Sequence, residues 1–212
     1  MQPFTTVSGP AAPLLLANVD TDVVIRIEPL TLHPPDALGP FAFEPLRYRP
    51  DGGEDPGFVL NQPLFRGAPI LLAGPNFGCG SSREAAVWAL RGMGLRCVIA
   101  SSFGDIFYGN CFQNGMLPIM LDEHLIAELA LVAQTGTAMT VDLVQRQLTI
   151  GDSAPVPFQI DESRRLSLLE GLDAIGLTLK DAPLVAAWQE ADRLRRPWAW
   201  KPLRRPGPKA AA

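Results

Sequence analysis

The sequence predicts an α/β domain with both parallel and antiparallel strand pairings, on three observations. Between residues 70 and 121 three apolar runs, Ile70-Leu71-Leu72-Ala73, Cys97-Val98-Ile99-Ala100 and Leu117-Pro118-Ile119-Met120-Leu121, alternate with helix-forming stretches, as right-handed parallel strand–helix–strand units do. Residues 139–144 and 147–150 flank Gln145-Arg146 as the arms of a hairpin flank its turn. A chain of 212 residues, 47% of them hydrophobic, is long enough for one core with a small appendage.

Taken in order, residues 5–27 read as strand, polar turn and strand, with Leu14-Leu15-Leu16 and Val23-Val24-Ile25 as the apolar pieces and Asn18-Val19-Asp20-Thr21-Asp22 between them. Residues 29–57 hold seven prolines and four glycines without sustained periodicity, which predicts a long irregular loop or a pair of short strands. The run at 70–73 is a buried strand, and residues 81–91 carry helix formers until Gly92 stops them. After the strand at 97–100, Ser102-x-x-Asp105 opens a helix that Asn114-Gly115 closes. A third parallel strand at 117–121 leads to a helix over 122–134, where Leu125, Leu129 and Val132 share a face. The hairpin follows, then a strand over 156–160 and helices over 161–172 and 183–195. In the last of these Leu184, Trp188 and Leu194 are predicted core contacts.

Charge divides the chain into one domain over residues 1–192 and a basic, proline-rich tail over 193–212. The tail holds seven of the eighteen Lys and Arg and no acid, leaving eleven cations against twenty-two acids in residues 1–192, a net −11. An acidic body argues against nucleic-acid binding. The apolar stretch 11–17 is short and contains Pro13, so neither a membrane span nor a signal peptide is expected, and the location is taken as cytoplasmic. Three cysteines, at 79, 97 and 111, give neither a disulfide framework nor the spacing of a self-contained zinc or iron–sulfur site.

The stretch that reads as a site is Asn76-Phe77-Gly78-Cys79-Gly80-Ser81-Ser82-Arg83-Glu84. Gly78 and Gly80 let the backbone approach a ligand with no Cβ in the way, and a helix opening after them offers unpaired amides and a positive dipole end to an anion. Ser81 and Glu84 also stand at the spacing of a capping box. Arg83 has the wrong sign for a helix N-terminus, which points to a bound carboxylate as its partner, and the adjacent hydroxyls of Ser81 and Ser82 suit a polar acid. A third glycine for dinucleotide binding, the Gly-Lys-Ser/Thr of a P-loop and the Gly-x-Ser-x-Gly of a hydrolase are all missing. Cys79 is a candidate nucleophile, but neither histidine, His33 nor His124, is tied to it by sequence. Asp20 and Asp22 are turn formers and candidates for a functional role.

Four stretches, residues 18–22, 76–84, Asp105-Ile106-Phe107-Tyr108-Gly109-Asn110 and residues 171–179, occur in the order found in the small subunits of bacterial two-subunit 3-isopropylmalate dehydratases, and the chain resembles that family of the aconitase superfamily over residues 5–190. The resemblance implies a swivelling β/β/α three-layer domain, equivalent to the mobile last domain of aconitase, that closes over a large subunit. It implies that the large subunit holds a [4Fe–4S] cluster and that this chain binds none. The implied reaction isomerises 2-isopropylmalate to 3-isopropylmalate in leucine biosynthesis, by loss and re-addition of water through an unsaturated diacid. Matched motif by motif, Ser81 is implied as the base, acting as an alkoxide, Gly80, Ser82 and Arg83 as substrate binders, and Asp22 as a turn acid facing the cluster.

Two positions depart from the family's usual pattern. Ala85 stands where a histidine usually follows Ser-Arg-Glu, and Ile25-Arg26-Ile27 stands where Ile-Pro-Lys usually follows the Asp-Thr-Asp turn. Both bear on the polar surroundings of the site, which leaves a paralogue for another 2-alkylmalate or citramalate-like acid as an alternative. A non-catalytic binding module is a third reading, opposed by the intact Ser81-Ser82-Arg83.

Overall fold

The apolar runs become strands whose two faces are both covered. In a computed structural model that describes residues 1–200, the chain divides into two units, Met1–Asp173 and Ala174–Ala212. In the first, strands β1 (Thr6–Gly9) and β2 (Ala11–Leu14) go to different sheets. Strands β3 (Ile70–Ala73), β4 (Cys97–Ala100) and β5 (Leu117–Met120) extend β2 into a four-stranded parallel sheet of order β2-β3-β4-β5, with Ala11, Ile70, Cys97 and Leu117 in register. Strands β6 (Met139–Asp142), β7 (Gln147–Ile150) and β8 (Val156–Pro157) join β1 in an antiparallel sheet of order β1-β6-β7-β8. Parallel and antiparallel pairings both form, divided between two sheets. The predicted strand at 156–160 shrinks to two residues: the Phe158 N–H still donates to the Arg146 carbonyl at 3.0 Å, but Arg146 lies in the hairpin turn at φ 56°, where the partner strand ends.

Alternation along the parallel strands sets the layers. Ile70, Leu72, Cys97 and Ile99 join a core with Met139, Val141, Leu148 and Ile150 of the antiparallel sheet and with Ile126 and Leu129 of the helix over Glu123–Ala133. Leu71, Ala73, Val98 and Ala100 join the opposite core with the helices that connect the strands. Both faces of β3 and β4 are therefore dry, which is why these strands read as unbroken apolar runs.

The helices of this unit are α1 (Thr21–Val24), α2 (Ile27–Leu32), α3 (Glu44–Arg47), α4 (Glu84–Gly92), α5 (Asp105–Gln113), α6 (Glu123–Ala133) and α7 (Glu162–Glu170). Several differ from expectation. Val23-Val24-Ile25 is helix followed by a single extended residue, not a strand, since Asp20 caps α1 by accepting the N–H of Val23 at 2.7 Å. Residues 29–57 form short helical turns rather than strands, pinned by buried Asn61, whose amide donates to the carbonyls of Arg47 and Asp55 at 2.8 Å. Helix α5 begins after Gly104, and Ser102 caps elsewhere.

In the second unit, α8 (Ala174–Lys180) and α9 (Ala182–Arg195) are followed by a turn at Pro197–Trp200. Buried Asp192 closes that turn, accepting from Arg196 at 2.7 and 2.8 Å and from the Trp200 indole at 3.0 Å. Leu184, Trp188 and Leu194 are 70%, 55% and 87% exposed and are not core contacts. Two short helices alone provide no second layer to bury them. Residues 201–212, the greater part of the basic tail, lie outside the described residues. Among the described residues no helix is long and apolar enough to cross a membrane.

Candidate active site

Three adjacent parallel strands end at one edge of their sheet, and the loops that leave them are laced together by backbone bonds. The carboxyl edge of a parallel sheet is where such loops gather. From β2, residues 18–21 run beside residues 75–81 from β3: Asn18 N–H donates to Pro75 at 2.9 Å, Gly78 N–H to Val19 at 2.7 Å and Thr21 N–H to Cys79 at 2.9 Å. From β4, Ser102 and Phe103 flank the other side, Phe77 N–H donating to the Ser102 carbonyl at 3.1 Å and Gly104 N–H to Phe77 at 3.0 Å. Asn18 and Asn76 both take a left-handed φ of 56°, and their side-chain amides meet at 2.8 Å. The Ser102 hydroxyl, expected to open a helix, instead accepts the Asn76 N–H at 2.8 Å.

The glycines have separate jobs. A Cβ on Gly78, whose φ is +72°, would fall 2.2 Å from Cγ of the buried Phe107 ring, so this glycine serves packing and not the approach of a ligand. Gly80 is exposed at φ +90° and turns the chain so that Ser81 and Ser82 face solvent.

Helix α4 begins at Glu84, two residues later than the capping-box reading requires, and that box does not form. The Ser81 carbonyl accepts from the Arg83 N–H at 2.8 Å and from the Thr21 hydroxyl at 2.9 Å. Glu84 turns inward, accepting from the Asn114 amide at 2.8 Å, while Asn114 accepts from the Trp88 indole at 2.9 Å, so the acid of the motif joins α4 to α5. The N–H groups of Gly80, Ser81 and Ser82 and both serine hydroxyls have no acceptor or donor among the described residues. These donors are therefore left free to meet a ligand.

Arg83 sits just before the helix, and its awkward sign is answered locally. Its guanidinium pairs with the carboxylate of Asp22 and donates to the Ile25 carbonyl at 3.2 Å. The structure thus brings Asp22, Gly80, Ser81, Ser82 and Arg83 to one edge of the sheet across about sixty residues of sequence. Asp20 is an N-cap, Cys79 is half-buried with a free thiol, and the Cys79 carbonyl is taken by Thr21.

The Aconitase C-terminal domain family matches residues 1–124, a span that includes every loop of this edge. The 3-isopropylmalate dehydratase small subunit of Cereibacter sphaeroides is 49% identical over 200 residues, covering 93% of this chain and 100% of the relative. That of Paracoccus denitrificans is 48% identical with the same coverage. The chain belongs to the 3-isopropylmalate dehydratase small-subunit family. A crystal structure of 3-isopropylmalate dehydratase from Methanocaldococcus jannaschii is 26% identical with a TM-score of 0.64, covering 87% of this chain and 99% of that one.

Within that family, the two departures noted in the sequence fall on different surroundings. Ala85 is 7% exposed and belongs to the helix-side core, so its effect is on packing behind the loop. Arg26 is on the surface, 3.2 Å from Glu28 and 4.0 Å from Glu44. Among the described residues no group of three or more His, Cys, Asp or Glu side chains could hold a metal ion. Cys97 and Cys111 are fully buried, and burial pushes both thiols well up, which removes them as thiolate donors. Thr21 was the residue that sequence reasoning passed over, because a threonine in an acidic turn carries no signal beyond turn propensity.

Proposed function

We propose that this chain is the small, swivelling subunit of a hydro-lyase that interconverts 2-isopropylmalate and 3-isopropylmalate in leucine biosynthesis, and that it acts only with an iron–sulfur large subunit. The observation that carries this reading is 48–49% identity, along 93% of the chain, to small subunits of that enzyme, supported by the gathering of Asp22, Ser81, Ser82 and Arg83 at one sheet edge. A small subunit has a large partner, and this reading gives that partner the [4Fe–4S] cluster that the family resemblance implies. Bound there, the cluster supplies the Lewis acidity that makes hydroxide a leaving group.

The residues of this chain have the remaining work. Dehydration removes a weakly acidic carbon-bound proton, and Ser81 takes it as an alkoxide. A serine hydroxyl is a poor acid, so the unpaired N–H groups of residues 80–82 stabilise the oxyanion at Oγ or at the bound carboxylate beside it. The Ser82 hydroxyl and the Arg83 guanidinium hold the carboxylate. Arg83 gives one donor to Asp22 and one to Ile25, and a guanidinium has five, so others remain for the substrate. Because Asp22 already neutralises Arg83, the cationic field that holds a dianionic substrate comes mainly from the large subunit.

Ser81→Ala tests the assignment of the base. Purified with the large subunit, the variant is expected to assemble normally and to lose about 10³-fold or more in kcat. Normal turnover would remove Ser81 from that role.

A further inference from the structure

Ser81 is exposed and lies in a loop, yet a base must be held within a fraction of an ångström of its target. Thr21, 1% exposed, spans the gap between the two loops. Its N–H donates to the carbonyl of Cys79 at 2.9 Å and its hydroxyl to the carbonyl of Ser81 at 2.9 Å, so one residue grips the peptide units on both sides of Gly80. Gly80, held at φ +90°, lacks the Cβ that would restrict its backbone, and these two bonds supply the restriction. The Arg83 N–H takes the second acceptor site of the Ser81 carbonyl. With both sites filled, that carbonyl neither rotates toward the substrate nor competes for the Ser81 hydroxyl. Thr21 itself is fixed by the first turn of α1, which Asp20 caps, and the Asp22–Arg83 pair ties the same two loops together.

We infer that Thr21 is a positioning residue: its buried hydroxyl, through the Ser81 carbonyl, fixes the direction in which Ser81 presents Oγ. The inference rests on Ser81 being the base. Removing the hydroxyl while keeping the side chain's shape leaves binding groups in place and misaligns the proton transfer, so the loss falls on kcat and not on KM.

The test uses the chain purified with its large subunit and compares Thr21→Val, Thr21→Ser, Ser81→Ala and the Ser81→Ala/Thr21→Val pair. Thr21→Val is expected to lower kcat about 10- to 100-fold with KM within about twofold of the parent. Thr21→Ser, which keeps the hydroxyl and loses the methyl, is expected to recover to within about threefold. The pair is expected to be no slower than Ser81→Ala alone, since Thr21 acts only through Ser81. Thr21→Val at parental kcat, Thr21→Ser as slow as Thr21→Val, or further loss in the pair would each overturn the inference. A Thr21→Val chain that no longer folds or assembles overturns it too, because the hydroxyl then holds the fold and not the base. If Ser81→Ala alone turns over normally, the assignment of the base fails first, whatever Thr21 does.

Discussion

Arg83 shows how a residue that breaks a local rule is accommodated by distant ones. A cation before a helix N-terminus is unfavourable, and the Asp22 carboxylate and Ile25 carbonyl, some sixty residues earlier, absorb it. The sequence exposed the anomaly but not its answer, since ion pairing across that separation has no periodic signature. Gly78 is the reverse case: the sequence offered it as a point of ligand approach, whereas the Phe107 ring occupies the space a Cβ would need. Gly78→Ala combines that overlap with a left-handed φ, and is expected to destabilise the chain by about 2–4 kcal/mol in chemical denaturation. A change under about 0.5 kcal/mol would mean that the ring moves aside freely.

At the scale of elements, legibility followed the number of residues that report on each one. The strands at 70–73, 97–100 and 117–120 and the helix at 123–133 were readable because burial on both faces or a repeating stripe leaves many consistent residues. Val23-Val24-Ile25 was not, since three apolar residues suit a strand or one helical turn, and the Asp20 cap decided it. In α9 the spacing of Leu184, Trp188 and Leu194 was right for a helix and said nothing about whether a second layer would cover them. Helix α7 carries a pH signature. Asp161 caps it, and the Arg164 N–H, followed by the Ser163 hydroxyl, holds the Asp161 carboxyl below the ordinary aspartate range. A depressed native value means that the unfolded chain binds the proton more readily, so this contribution is whole above the unfolded value of about 4 and is lost as the pH falls through the native one. Amides of α7 are therefore expected to lose hydrogen-exchange protection below about pH 4, and Asp161→Asn, which still caps, to flatten that dependence. Equal pH sensitivity in the variant would locate the effect elsewhere.

At the scale of the whole molecule, the proposed function has this chain supply one wall of a site shared with a large subunit. The loops at the sheet's carboxyl edge were legible as a motif in residues 76–84 and as a family resemblance, and relatives aligned along 93% of the chain agree with that resemblance. Their assembly was not legible, because the side chains of Thr21, Asn18 and Ser102 find their partners 26 to 60 residues away, a separation with no periodic signature. An acidic body with a neutralised Arg83 makes a poor receptor for a dianion by itself, so the isolated chain is expected to be folded, colourless and inactive. The most direct test is to co-express it with the iron–sulfur large subunit from the same source, purify anaerobically through a tag on this chain, and assay 2-isopropylmalate against citramalate and citrate. A brown complex selective for 2-isopropylmalate is the expected result. A complex that prefers another acid, or a cluster-loaded large subunit that does not co-purify, would contradict the account.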